Sequence, residues 1–289
     1  MLHDLVDHPA IDETLSEVSA VLDLDVCTLD TPEALQSAVS VQLAILTTGV
    51  ATARALQQSG LAPLAVAGLS VGAFSAAVAA DSISLADAVR LVRSRAEQME
   101  QMYPTGYGLS AIVGLSEGQV AKLVDAASTK EHPVFVGNIN APRQIIIVGS
   151  NEGMEQVLQT ARSRGARKAE RLDVLVPSHC SLLQPVADSL LNQLQSLSVK
   201  DPKAIYLSNV NARAVRTAQG VAKDLAENIA HGVRWHDATT VACELGCELF
   251  LEVPPGHALS DLARENLPGI QANAITAGTF DRLLHLARS

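Results

Sequence analysis

The chain has 289 residues, a formal net charge of −10, and 48% hydrophobic against 18% charged residues. This acidic balance, without a basic stripe, excludes a nucleic-acid surface, because nothing offsets phosphate repulsion. The apolar fraction excludes a disordered chain and is enough for one large domain or two modest ones.

Four scattered cysteines (Cys27, Cys180, Cys243 and Cys247) give no disulfide framework. Cys243 and Cys247 lack a second ligand pair at zinc spacing, so core thiols and no metal are expected. The uncharged stretches Ala34–Ala53 and Ala55–Ala80 are broken by glutamine, serine, threonine, glycine or proline, and neither is a continuous apolar span of about twenty residues. The start, Met1–Asp7, is acidic where a signal peptide would be basic. The expectation is a soluble cytoplasmic protein with no membrane partner.

In chain order, residues 1–20 read as an amphipathic helix interrupted at Pro9. Asp30-Thr31-Pro32-Glu33 opens a helix over Ala34–Gln58 with a break or bend expected near Gly49, ended by Gly60 and Pro63. A short β-leaning run ends at Gly68, and an alanine-rich helix follows Ser70. Ser84-Leu85-Ala86-Asp87 caps the next helix. From 106 to 173 the rhythm becomes strand 108–114, helix 116–128, strands 133–140 and 144–149, helix 151–164 and strand 167–172. That βαββαβ order is the ferredoxin-like unit, inserted in a larger α/β domain that resumes at Leu175. The domains expected are therefore 1–105 with 174–289, and 106–173. Beyond lie helix 181–195, strand 204–209, helices 221–229 and 235–245, strand 248–253, and helices from Ala258 and Thr279.

The chemistry concentrates at Gly68-x-Ser70-x-Gly72, the pattern of a nucleophile elbow. Such a turn lifts a serine hydroxyl clear of the sheet, and glycines two residues either side let strand and helix approach. The following helix directs its N-terminal N–H groups at a developing oxyanion. A serine nucleophile needs a base, and His179, His236 and His257 sit where one is plausible. His179, in a turn fixed by Pro177 and Ser178, is preferred. Arg95 lies on the helix packed behind the elbow, and its planar fork suits a substrate carboxylate.

Six blocks occur in order: Gly68-Leu69-Ser70-Val71-Gly72, Arg95-Ala96-Glu97-Gln98-Met99, Asn140-Ala141-Pro142-Arg143-Gln144-Ile145, Val176-Pro177-Ser178-His179-Cys180, Val233-Arg234-Trp235 and Glu252-Val253-Pro254-Pro255-Gly256. Through them the chain resembles the malonyl-CoA:acyl-carrier-protein transacylase family over essentially its whole length. Val41-Gln42-Leu43-Ala44, and Leu69 in place of the usual histidine, make it most similar to the subunit serving malonate decarboxylase. The resemblance implies an α/β-hydrolase-like parallel-sheet core carrying the inserted unit. It also implies ping-pong transfer from malonyl-CoA, with no bound cofactor, to the thiol of an acyl carrier protein's phosphopantetheine or CoA-like prosthetic arm.

By the same resemblance Ser70 is the nucleophile and His179 the base. Arg95 pairs with the malonyl carboxylate, the Val71 N–H is an oxyanion donor, and the Arg234 backbone carbonyl orients His179. Family members open with a strand and a Phe-Pro-Gly-Gln-Gly loop whose glutamine N–H supplies the second oxyanion donor. This chain has neither, so a gap or exposed strand edge beside Leu64–Ala67 and impaired activity are expected, with a natural start upstream or a truncated form. A Ser-His thioesterase and a non-catalytic carrier-docking subunit are the competing readings.

Overall fold

The computed structural model describes residues 1–288 except Pro104 and Leu175; the expected resumption of the larger domain at Leu175 lies outside the described residues. The chain starts with a single 3-10 turn, Leu2–Asp4, and then α1 (Pro9–Leu22). Pro9 does not interrupt a helix but begins one: it occupies the first helical position, where no backbone N–H is needed, and His8 Nδ1 caps the Ala10 N–H at 3.1 Å.

The long apolar helix α2 (Ala38–Gln58) begins later than its sequence signal. Residues 34–36 form a 3-10 turn, and Ser37 restarts the chain as an N-cap, its hydroxyl 2.9 Å from Glu100. By length and apolarity α2 could cross a bilayer, but it is largely buried inside the protein, polar Gln42, Thr47, Thr48 and Thr52 included. Gly49 is needed for close approach: a Cβ there would meet Ser75 Oγ at 2.8 Å.

Next come β1 (Ala65–Val66), α3 (Gly72–Ala79) and α4 (Leu85–Met102), the last capped by Ser84 at the Asp87 N–H. The middle of the chain is β2 (Tyr107–Val113), α5 (Glu117–Ala127), β3 (Val134–Ala141), β4 (Gln144–Ser150), α6 (Asn151–Ser163) and β5 (Lys168–Arg171). These four strands form one antiparallel sheet in the order β3-β4-β2-β5. Apolar runs such as Ile145–Val148, buried along their length, and two serine caps, Ser116 and Ser150, fix its elements. It has its own core, built on Ile112, Ile145, Ile147, Met154, Val157 and Leu158.

The remainder is α7 (Gln184–Gln195), β6 (Ile205–Leu207), β7 (Ala214–Val215), α8 (Ala218–Glu227), α9 (Trp235–Glu244), β8 (Leu249–Glu252), α10 (Ala258–Asn266), β9 (Gln271–Ala274) and α11 (Phe280–Leu286). β1 runs parallel to β6, and β8 parallel to β9. The parallel strands thus form two separate pieces, β1-β6-β7 and β8-β9, rather than one continuous sheet. β1 and β8 each have one unpaired edge among the described residues, and the residues of both are only half-buried. The largest core lies among α2, α3, α4, α7 and α8, centred on Leu46, Phe74, Leu91, Leu183 and Tyr206. Val233, just before α9, joins the two regions by pairing with the outer edge of β3: its N–H donates to Gly137 O and its carbonyl accepts from Ile139, both at 2.8 Å.

Candidate active site

The turn between β1 and α3 is shaped by one glycine. A Cβ on Gly68 would fall 2.0 Å from the Gly72 carbonyl oxygen, so no side chain fits. A Cβ on Gly72 would meet nothing within 4 Å, so only the first glycine of the pattern serves close approach. Ser70 takes a left-handed φ of 56°, a conformation few L residues adopt. It places the hydroxyl in front of the N-terminus of α3. Val71 is the N-cap of that helix, and its N–H takes no partner among the described residues.

His179 also has a positive φ, 65°, and is 2% exposed. Two bonds to the turn after α8 hold it: its N–H donates to Ile229 O at 2.7 Å, and its Nδ1 lies 2.6 Å from Asn228 O. Because a carbonyl can only accept, Nδ1 carries the proton and Nε2 is left as the acceptor. Nε2 sits 2.8 Å from Ser70 Oγ. Burial, then the Arg95 charge, push the imidazole down to about 4, so it is neutral at pH 7.

The carbonyl that orients His179 is therefore that of Asn228, not of Arg234 as the resemblance implied. The Arg234 carbonyl accepts the first helical bond of α9, from Ala238 at 3.0 Å, whereas Asn228 follows the last turn of α8, where carbonyls lack helical partners. The Arg234 side chain is turned outward to Asp237 and Glu117.

Arg95 is 1% exposed and lies between α2 and the elbow. One guanidinium nitrogen donates to Gln42 Oε1, another to Ser70 Oγ at 3.1 Å, and Nε has no partner. It forms no ion pair among the described residues. Burial holds it down to about 9, so it remains a cation at pH 7. Ser70 Oγ thus faces a neutral base on one side and an uncompensated positive charge on the other.

Ser70, Val71, His179 and Arg95 therefore come together as expected. His236 lies on α9 and bonds to none of them among the described residues, and His257 is exposed and paired with Asp261 at 2.7 Å. Sequence reasoning missed Asn228, Asn209 (whose side chain contacts the elbow), and the role of Gln42, which it quoted only within a motif. None has a local signal, since each acts through a partner at least 49 positions away. Among the described residues, no group of three or more His, Cys, Asp or Glu could hold a metal ion. The arrangement can deprotonate a serine hydroxyl, hold an acyl group on it, and attract an anion beside it.

An elbow serine, a carbonyl-held histidine and a buried arginine brought together in this way define an acyl-transferring class of protein. The family model for the acyl transferase domain matches residues 6–277, and the chain belongs to that family, in its malonyl-CoA:acyl-carrier-protein transacylase branch. It is 34% identical over 281 residues to the malonyl CoA-acyl carrier protein transacylase of Escherichia coli (strain K12), covering 95% of this chain and 91% of that protein. Among solved structures, it is similar to the acyl-carrier-protein S-malonyltransferase of Burkholderia pseudomallei 1710b, with a TM-score of 0.91, 33% identity, and 96% and 92% of the two chains covered. A type II PKS acyl-carrier protein in complex with its malonyl-transacylase gives a TM-score of 0.91 at 30% identity, with 96% of this chain and 92% of that one covered.

Proposed function

We propose that the chain is an acyl-carrier-protein S-malonyltransferase, moving a malonyl group from malonyl-CoA to a carrier thiol by a ping-pong Ser70–His179 mechanism. The observation that carries this reading is the Arg95 cation, buried without a carboxylate and 3.1 Å from Ser70 Oγ. A desolvated guanidinium costs several kcal/mol, which a bound carboxylate offsets. Malonyl supplies that carboxylate, separated from the reacting carbonyl by one methylene; acetyl does not.

In the first half-reaction, Ser70 Oγ attacks the thioester carbonyl while its proton passes to His179 Nε2. The oxyanion takes the Val71 N–H, the C–S bond breaks, and the CoA sulfur leaves with the proton from His179. The carrier thiol then gives its proton to His179, its sulfur attacks the malonyl-serine, and Ser70 leaves with that proton. Asn228 O stabilises the transient imidazolium, as an acid would in a triad.

The finer reading is a malonate decarboxylase system, in which the carrier bears a CoA-like prosthetic arm and the transfer takes place in the cytoplasm. Its support is the Val41–Ala44 block, whose Gln42 holds Arg95, and Leu69 before the nucleophile. The catalytic unit is taken as 1–105 with 174–289, α/β-hydrolase-like, and 106–173 as a ferredoxin-like subdomain; the separate antiparallel sheet supports that division. The reading of the core as short of one central strand rests on the one-sided pairing of β1 and β8. The test is transfer of labelled malonyl from malonyl-CoA to two carriers, one with a phosphopantetheine arm and one with the CoA-like arm. Faster transfer to the second supports the decarboxylase context, and faster transfer to the first counts against it. Hydrolysis without transfer to either overturns the transferase reading.

A further inference from the structure

We propose that Asn209 and Asp224 are positioning residues that hold Ser70 in its reactive conformation by continuing the β1–β6 pairing beyond the end of the strands. The inference rests on Ser70 being the nucleophile, as in the proposed function.

The register pairs Ala65 with Ile205 and Val66 with Tyr206. Continued by the same parallel pattern, past the step from the Gly68 N–H to Leu207 O, the ladder would have the Asn209 N–H donate to Gly68 O and the Ser70 N–H donate to Asn209 O. Both bonds are present, but the Asn209 side chain makes them. Its Nδ2 donates to Gly68 O at 2.9 Å, and its Oδ1 accepts the Ser70 N–H at 3.0 Å. The side-chain amide stands in for its own backbone. Because it reaches further, it can follow the chain as Ser70 turns into the left-handed region.

The backbone of Asn209 is thereby freed and held elsewhere. Its N–H donates to Asp224 Oδ2 at 3.2 Å, and its carbonyl accepts from Arg234 at 2.8 Å. Asp224 is 4% exposed and makes no ion pair among the described residues. Its two oxygens also accept from Tyr206 OH at 2.8 Å, Ser208 Oγ at 2.5 Å and the Val210 N–H at 3.1 Å. A buried carboxylate satisfied by four fixed donors is a rigid anchor, since any movement of the loop leaves it unpaired. The chain of contacts runs Asp224, Asn209, Ser70, and ends 2.8 Å from the base.

The test uses a fluorophosphonate, which reports on Ser70 whatever acyl donor the chain accepts: Oγ bonds to phosphorus, fluoride leaves, and the proton passes to His179. At a temperature well below every variant's Tm, Asn209→Ala is expected to react about 10–100-fold more slowly, with malonyl-CoA KM little changed. Asn209→Asp keeps an acceptor for Ser70 but sets an oxygen against Gly68 O, so it falls between Asn209→Ala and the parent. It carries the comparison if Asn209→Ala does not fold. Ile147→Ala, in the core of the antiparallel sheet, lowers Tm and leaves the labelling rate at the parent value. Labelling of Asn209→Ala and Asn209→Asp at the parent rate, or loss only in step with Tm, would overturn the proposal. A chain labelled at Ser70 yet inert to malonyl-CoA would overturn the proposed function instead, and the variants would still decide this inference.

Discussion

Arg95 and Ser70 are joined by a 3.1 Å hydrogen bond in which the donor is a fully buried cation without a counter-ion. The bond places a positive charge at the atom that would carry the acyl group. It also lowers the proton affinity of His179, which contacts the same hydroxyl from the other side.

Arg95→Gln should lower acylation by malonyl-CoA far more than by acetyl-CoA. Removing one partner of a buried charge pair costs about 3–5 kcal/mol, and acetyl makes no such pair. Single-turnover acylation with both thioesters reads this out. Equal losses would mean that Arg95 acts only through packing against α2.

The pH profile should be governed by His179. Acylation requires the neutral imidazole, which burial and then Arg95 hold down to about 4, so the rate should stay flat through neutrality and fall on acidification. Removing the cation makes protonation easier, so Arg95→Gln should move the acid limb toward higher pH. Burial, the larger cause, remains, and the limb stays below that of a free histidine. A limb that does not move, or moves down, contradicts the assignment. His179→Ala should slow acylation by about 10²–10⁴-fold at pH 7.

The two elbow glycines should behave oppositely. Gly68→Ala puts a Cβ 2.0 Å from a backbone oxygen, and overpacking of that kind costs at least about 1–3 kcal/mol. Gly72→Ala meets nothing within 4 Å and replaces glycine at the start of a helix, which should stabilise by about 0.5–1 kcal/mol. Urea unfolding of the two variants separates them.

The parts legible in the sequence were those with local causes. The glycine spacing of the elbow, the cap at Ser84 and the apolar runs of β2 and β4 lie within a few residues of what they signal. β7 is two residues long, and β9, Gln271–Ala274, has no β-branched or aromatic residue, so both depend on their partners rather than on propensity. Pro9 gives no such signal, because a proline at the first helical position and one inside a helix look alike until the cap is known. In the site, Asn228 rather than Arg234 supplies the orienting carbonyl, and only the fold shows which carbonyl a helix has already used. The Asn209 and Asp224 contacts join residues far apart in the chain and leave no periodic trace.

The central claim is that Ser70 accepts a malonyl group and passes it to a thiol. Intact mass measurement after rapid mixing with malonyl-CoA tests it most directly. The account predicts a gain of one malonyl group, located at Ser70 by peptide mapping, absent from Ser70→Ala, and discharged by a carrier thiol faster than by water. No adduct, an adduct on another residue, or an adduct that water removes as fast as the thiol does would contradict it.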